Sequence, residues 1–151
     1  MYTRILVAID SSSTAKKALA EAIALARTGG AHLCIVNAVD EGPLAQHGMG
    51  LASYIDIDKV KQDMRDASNA MLAQALDKAR EAGCQQVEAQ LIETAQRRLA
   101  DMIVETATEW RADLIVMGTH GRRGFARMLV GSVTEHVVRI ATTSLLLVRE
   151  G

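Results

Sequence analysis

The stretch "ADLIVMGTHGRRGFARMLVGSVTEHVVRIA", residues 112–141, decides the fold. It opens on an apolar run at 114–117, which reads as a strand buried on both faces. It closes on "SVTEHVVRIA", which reads as a short helix. Between them stand Gly118, Gly121, Gly124 and Gly131. Gly118 and Gly121 make a Gly-x-x-Gly, then nine residues pass, then comes Gly131-Ser132. No Lys follows the last glycine, so this is not the usual P-loop. A strand, a glycine loop and a helix in that order belong to a βαβ unit.

The same alternation continues outward. "RILVAID" (4–10) is a second buried strand. "SSSTAKKALAEAIALARTGG" follows as a helix, with N-caps offered by Ser11, Ser12 and Ser13 and a stop at Gly29-Gly30. Its buried stripe is Ala15, Leu19, Ala22 and Leu25. "AHLCIVNAVD" (31–40) is the next strand. "EGPLAQHGMGLASY" (41–54) holds the only Pro and has no periodicity. It reads as a long loop, a length that in a compact domain marks function or movement. A long helix runs from Asp56 to about Ala82, with Val60, Met64, Ala67, Met71 and Ala75 as its stripe and Gly83 as its stop. "QVEAQLIE" (86–93) is the third strand. "AQRRLADMIVETATEW" (95–110) is a helix buried through Leu99, Ile103, Thr106 and Trp110. "SLLLVRE" (144–150) is the fifth strand.

Strands alternating with helices imply a parallel sheet in an α/β fold. Crossovers are right-handed in about 98% of cases. The strands are apolar throughout, so helices must cover both faces and the winding must reverse. Ligands bind outside the carboxyl ends of strands at such a reversal. The first strand ends in Asp10 and three serines, and the fourth ends in the glycine loop. If those two are neighbours, the sheet is doubly wound in the order 3-2-1-4-5, with the site between Asp10 and Gly118. No repeat or break in composition divides the chain, so residues 1–151 read as one domain.

With 151 residues, a chain can bury about 70% of its unfolded surface without a disulfide or metal. Apolar residues are 49% of the total but aromatics only 3%, so the core must be aliphatic. The net charge of -1 speaks against a nucleic-acid partner, which favours a basic excess. Cys34 and Cys84 form no CxxC and read as idle buried thiols, with a redox pair as the alternative. Reduced thiols fit the cytoplasm. No apolar run approaches the roughly 20 residues of a membrane span, and the N-terminal run is too short for a signal peptide. The expectation is a soluble cytoplasmic protein with no membrane insertion.

The glycine loop has two readings. A Gly lets a ligand approach where a Cβ would collide, and successive N–H groups in such a turn make an anion nest. Ser132 and Glu135 fit an S-x-x-E capping box and place a helix start there. A helix start carries partial positive charge and free N–H donors, which suits phosphate. The hydroxyls of Ser132 and Thr134 could add donors, and Arg122, Arg123 and Arg127 charge. The other reading is a tight turn that lets a helix pack closely, with the arginines on a solvated face. Asp10 either caps the helix after it or accepts from ribose hydroxyls. His120 either steadies the loop or touches phosphate. His32 and His136 read as structural, and His47 has no partner in the pattern.

Together "ILVAID" with "SSSTAKKAL", "VNAVDE", "ADLIVMGTHGRRG", and "LVGSVTEHVVRIA" into "LLLVR" resemble the universal stress protein family over essentially the whole chain. The ATP-binding branch of that family carries Gly-x-x-Gly, nine residues, then Gly-Ser or Gly-Thr, a spacing that Gly118, Gly121, Gly131 and Ser132 meet. The resemblance implies adenine and ribose contacts near Ala8, Ile9 and Asp10 and at Ala38, with Asp10 bonding the ribose and Met117 lining the adenine pocket. It places Gly118, Thr119, His120, Gly121, Arg122 and Arg123 around the phosphates, with Ser132, Val133 and Thr134 completing the grip. ATP is the implied ligand, accompanied by Mg2+. Two residues depart from the family pattern. Ser144 stands where a Pro usually precedes the last strand. Ala38 replaces a Val, a smaller wall that would loosen adenine packing by about 1 kcal/mol.

Similar proteins dimerise through the last strand, and "SLLLVR" would otherwise be an exposed apolar edge. The expectation is a homodimer with antiparallel fifth strands. Hydrolysis needs a placed base and charge stabilisation, and with no P-loop Lys, His120 would act alone. The favoured role is therefore an ATP-binding regulator in a stress response, not a catalyst. The alternatives are a slow ATPase or nucleotide-transfer enzyme, and an adaptor that regulates a partner such as a transporter. A response-regulator phosphoacceptor would need an acid cluster after strand one and a Lys ending strand five, and neither is present.

Overall fold

The computed structural model describes residues 1–42, 56–120 and 130–150. Five strands and four helices alternate among them. They are β1 (Arg4–Ile9), α1 (Ser13–Gly29), β2 (His32–Asp40), α2 (Ile57–Glu81), β3 (Val87–Thr94), α3 (Leu99–Glu109), β4 (Leu114–Gly118), α4 (Ser132–Ile140) and β5 (Ser144–Val148). All pairings are parallel, in the order β3-β2-β1-β4-β5. The adjacency on which the expected site depends is present: Ile5, Leu6 and Val7 of β1 stand opposite Leu114, Ile115 and Val116 of β4.

Side chains alternate between two cores, as the pleat requires. Ile5, Val7, Ile9, Leu33, Ile35, Leu114 and Val116 face α1 and α2. Leu6, Cys34, Val36, Ile115 and Met117 face α3 and α4. Both sets are buried, which is why the strands read as unbroken apolar runs. Burying one such side chain is worth about 1.5–3 kcal/mol. The layer over β1 and β4 is built from Ala15, Ala18, Ala22 and Ala26 of α1, so small side chains bring that helix close to the sheet.

Helix faces differ from the expected stripes by a single position in three places, the third being α3, where Ala100 and Ala107 are buried and the expected Leu99 and Thr106 only half-buried. Leu25 is 37% exposed, and Ala26 completes the α1 face instead. Ala67 is exposed, while Ser68, Leu72, Ala75 and Ala79 are the buried residues of α2. Alanine and serine carry so little apolar signal that the periodicity does not fix their phase. The helix expected from residue 95 begins at Leu99. Thr94 ends β3 with a turn in which its hydroxyl donates to the Arg97 carbonyl (2.7 Å) and accepts from the Arg97 N–H (3.2 Å). Of the long loop expected over 41–54, Glu41 and Gly42 are described; the rest, including His47, lies outside the described residues.

At the amino edge of the sheet the Arg4 guanidinium lies 4.0 Å above the Trp110 ring. His32 stands edge-on to the same ring and pairs with Glu88 at 3.1 Å. His136 reaches Asp101 at 3.6 Å. Both histidines thus have an acidic neighbour, and His136 also lines a cleft between α3 and α4. Cys34 and Cys84 are buried and unbonded to each other. Burial, helped by the Glu88 charge, pushes the Cys34 thiol up to about 12. Among the described residues no helix is long and apolar enough to cross a membrane.

Candidate functional site

Two helix starts meet the carboxyl ends of β1 and β4, and they are finished differently. At α1 the chain leaves Ile9 through Asp10, whose Oδ1 accepts the Ser12 N–H at 2.8 Å. Ser12 is the N-cap, its hydroxyl oxygen accepting the Ala15 N–H at 3.2 Å. The Thr14 hydroxyl then donates to the His120 carbonyl. The Ser12 bond caps α1 at the Ala15 amide, and the Thr14 bond ties the helix to the end of β4. Asp10 does not cap α1, since Ser12 does; its Oδ1 instead closes an Asx turn on the Ser12 N–H.

The start of α4 is open. Gly131 is the N-cap (φ -71°, ψ 160°), and no side chain caps the helix. The expected capping box does not form. Ser132 is already the first helical residue, one place too far along to reach back as a cap, and Glu135 pairs with Arg139 at 2.8 Å. The Glu135 N–H reaches the Gly131 carbonyl at 2.9 Å, which leaves the amides of Ser132, Val133 and Thr134 without intrahelical acceptors. The same helix start is held rigidly in place. The Gly131 N–H donates to the Thr119 carbonyl at 2.6 Å, and the Thr134 hydroxyl donates to the Gly118 carbonyl at 3.0 Å. Thr134 is buried, so its hydroxyl is committed internally and its contribution to a ligand reduces to the backbone N–H. Thr119 is buried as well, its hydroxyl 3.1 Å from His120 Nδ1.

Gly118 answers to packing. A Cβ there would lie 2.6 Å from Thr14 Oγ1 and 2.9 Å from the Thr14 carbonyl carbon. The first glycine of the motif is what lets α1 reach β4. Gly121, Arg122 and Arg123, together with Arg127, lie outside the described residues.

The sheet face under α3 and α4 changes near its carboxyl edge. Leu6 and Val36 are fully buried, but the next residues on that face, Ala8 and Ala38, are only half-buried. With Met117 they form a shallow apolar step across β2, β1 and β4. Ile9 points to the opposite core, and its carbonyl accepts the Asn37 side-chain amide at 2.7 Å. Any ligand contact by Ile9 is therefore through its backbone. Between α3 and α4, beside the open helix start, lies an open cleft of about 510 Å³ whose lining joins Leu99, Ala100, Ser132 and Val133 to the charged or polar Asp40, Arg98, Glu135, His136 and Arg139; Ala8, Asp10, Ala38 and Met117 do not line it. Asp40, Thr14 and Asn37 are site neighbours that the sequence reading passed over. For Asp40 a signal existed, an acid at the carboxyl end of a strand beside the reversal. Thr14 and Asn37 act on residues far along the chain, and no spacing announces that.

A sequence profile of the universal stress protein family matches residues 1–149. The chain belongs to the universal stress protein family. Within it, the chain is 32% identical to universal stress protein YxiE of Bacillus subtilis (strain 168), over 99% of this chain and all of that one. A universal stress protein solved in complex with cAMP is 28% identical, covering 99% of this chain and 98% of the other, with a TM-score of 0.68. One from Archaeoglobus fulgidus, solved in complex with dAMP, is 25% identical over 97% and 98% of the two chains, with a TM-score of 0.66. The doubly wound sheet of this family member is thus shared with relatives of matching length.

Proposed function

We propose that the chain binds ATP, with Mg2+, at the carboxyl ends of β1 and β4 and serves as a nucleotide-dependent regulator in stress physiology. The observation that carries this reading is the start of α4. It is uncapped and pinned to the end of β4, with three backbone amides left without intrahelical acceptors. A helix start in that state favours anionic oxygens through its partial positive charge and its free N–H groups. Relatives crystallised with cAMP and dAMP support the ligand class.

In this reading the amides of Ser132, Val133 and Thr134 hold the phosphates from one side. Gly118, Thr119, His120 and Gly121, with Arg122 and Arg123, hold them from the other. The base lies on the step formed by Ala8, Ala38 and Met117, and Asp10 uses its second oxygen for the ribose. Mg2+ neutralises phosphate charge. We favour binding over hydrolysis because no Lys follows the last glycine, which leaves His120 to orient a water alone. We propose in addition a homodimer formed by antiparallel pairing of β5. That strand is a sheet edge, and Leu145, Leu146 and Leu147 are only half-buried along it. A cytoplasmic setting fits two buried, unpaired cysteines.

Native mass spectrometry of the purified protein tests both parts. Two chains carrying adenine nucleotide are expected. A bare monomer that stays bare at millimolar ATP with Mg2+ would refute the reading.

A further inference from the structure

Resting on the nucleotide site just proposed, we infer that Thr14 is a positioning residue of that site: its hydroxyl holds the chain leaving β4 in the arrangement that grips phosphate. The successive carbonyls of Gly118, Thr119 and His120 all accept hydrogen bonds from within the protein. The Gly118 carbonyl takes the Thr134 hydroxyl at 3.0 Å and the Thr119 carbonyl takes the Gly131 N–H at 2.6 Å, both from the start of α4. The His120 carbonyl takes the Thr14 hydroxyl, from α1. The Ser12 hydroxyl is more distant from that carbonyl, at 3.4 Å. A peptide is planar, so holding its carbonyl orients the whole unit. Residues 118–120 are thus clamped between two helices, alongside the amides of Ser132, Val133 and Thr134.

Thr14 is suited to this task by its place. It is 1% exposed and stands in the first turn of α1, where the residue four places back, Asp10, precedes the helix. Its hydroxyl is therefore not drawn into the back-bond that threonines make to a helical carbonyl further along. Thr106 and Thr108 of α3 do make such bonds, to the carbonyls of Met102 and Val104. Gly118 provides the room, since a Cβ there would come within 2.6 Å of Thr14 Oγ1. Ser12 extends the link: its hydroxyl lies 3.3 Å from Thr14 Oγ1, and its N–H donates to Asp10 at 2.8 Å. One chain of contacts therefore joins the residue assigned to the ribose to one assigned to the phosphates. Its effect is preorganisation, because order present before the ligand arrives does not have to be created on binding.

Thr14→Val isolates the hydroxyl, since valine keeps the β-branched shape and removes only the donor. Kd values for ATP with Mg2+ and for adenosine are measured by calorimetry on the full chain, with a thermal midpoint for each variant. ATP affinity is expected to fall about tenfold, the scale of one lost hydrogen bond, while adenosine, which has no phosphate, binds as before. Thr14→Ser restores the hydroxyl and is expected to recover ATP binding. Should Thr14→Val not fold, Thr14→Cys, a weak donor of nearly serine's size, takes its place against Thr14→Ser. Should adenosine bind too weakly to measure, the ATP loss and its recovery by serine decide alone. Unchanged ATP affinity in a folded Thr14→Val, an equal loss for ATP and adenosine, or a serine variant as weak as the valine one would overturn the assignment and leave the nucleotide site standing. Binding of neither ligand by the wild-type protein would overturn both.

Discussion

Gly118 cannot gain a methyl group without displacing Thr14, because the nearest atoms include Thr14 backbone as well as its side chain. Gly118→Ala is expected to destabilise the fold by about 1–3 kcal/mol, as overpacking does, measured by urea unfolding. An unchanged midpoint would show that α1 is free to retreat. The glycine spacing was legible in the sequence, but its meaning was not. Spacing announces that a Cβ is excluded, and only the position of Thr14, a hundred residues away in the chain, tells that the excluder is a helix. Thr134 gave the same difficulty: its type suggested a donor to a ligand, while its hydroxyl is spent on the Gly118 carbonyl. Cys34 carries a pH signature. Its thiol is pushed from an ordinary 9.0 to about 12 by burial first and Glu88 second. Only the unfolded chain therefore releases this proton between those values, and the associated stability is whole below pH 9 and lost as pH rises toward 12. Correspondingly, a thiol reagent at pH 8 should label neither cysteine until the protein unfolds; rapid labelling of the native state would contradict the burial.

Helix ends divide the site at the next scale up. The start of α1 carries a side-chain cap, Ser12, and the start of α4 carries none. This difference sets up a separation of function. Ser132→Asp puts a carboxylate in the first turn of α4, where it should stabilise the helix by about 0.3–1 kcal/mol. The same charge would occupy the phosphate seat, so ATP binding should be lost while the thermal midpoint holds or rises. Retained ATP affinity would place the phosphates elsewhere. The existence and order of elements were readable because buried parallel strands write themselves as apolar runs between amphipathic stretches. Their details were less so. The phase of α2 slipped at Ala67 because alanine fits either side of a helix boundary between core and solvent. The start of α4 was misread by one residue because Ser132 and Glu135 match a capping pattern whose first position is in fact filled by Gly131.

At the scale of the molecule, the sheet formed by the described residues has two edges, β3 and β5. The aliphatic β5 edge is expected to be buried between two copies, giving a dimer by light scattering at micromolar concentration; a monomer there would count against the pairing. Sheet topology followed from the sequence once the two unusual strand ends, Asp10 and Gly118, were required to meet. The cleft did not, since it joins residues from β2, α3 and α4 that no local pattern connects. The central claim is that the uncapped start of α4 makes this fold a nucleotide receptor. Calorimetric titration of nucleotide-stripped protein with ATP and Mg2+ tests it most directly. One ATP bound per chain is the expected result, and no heat of binding at millimolar ATP would contradict the account.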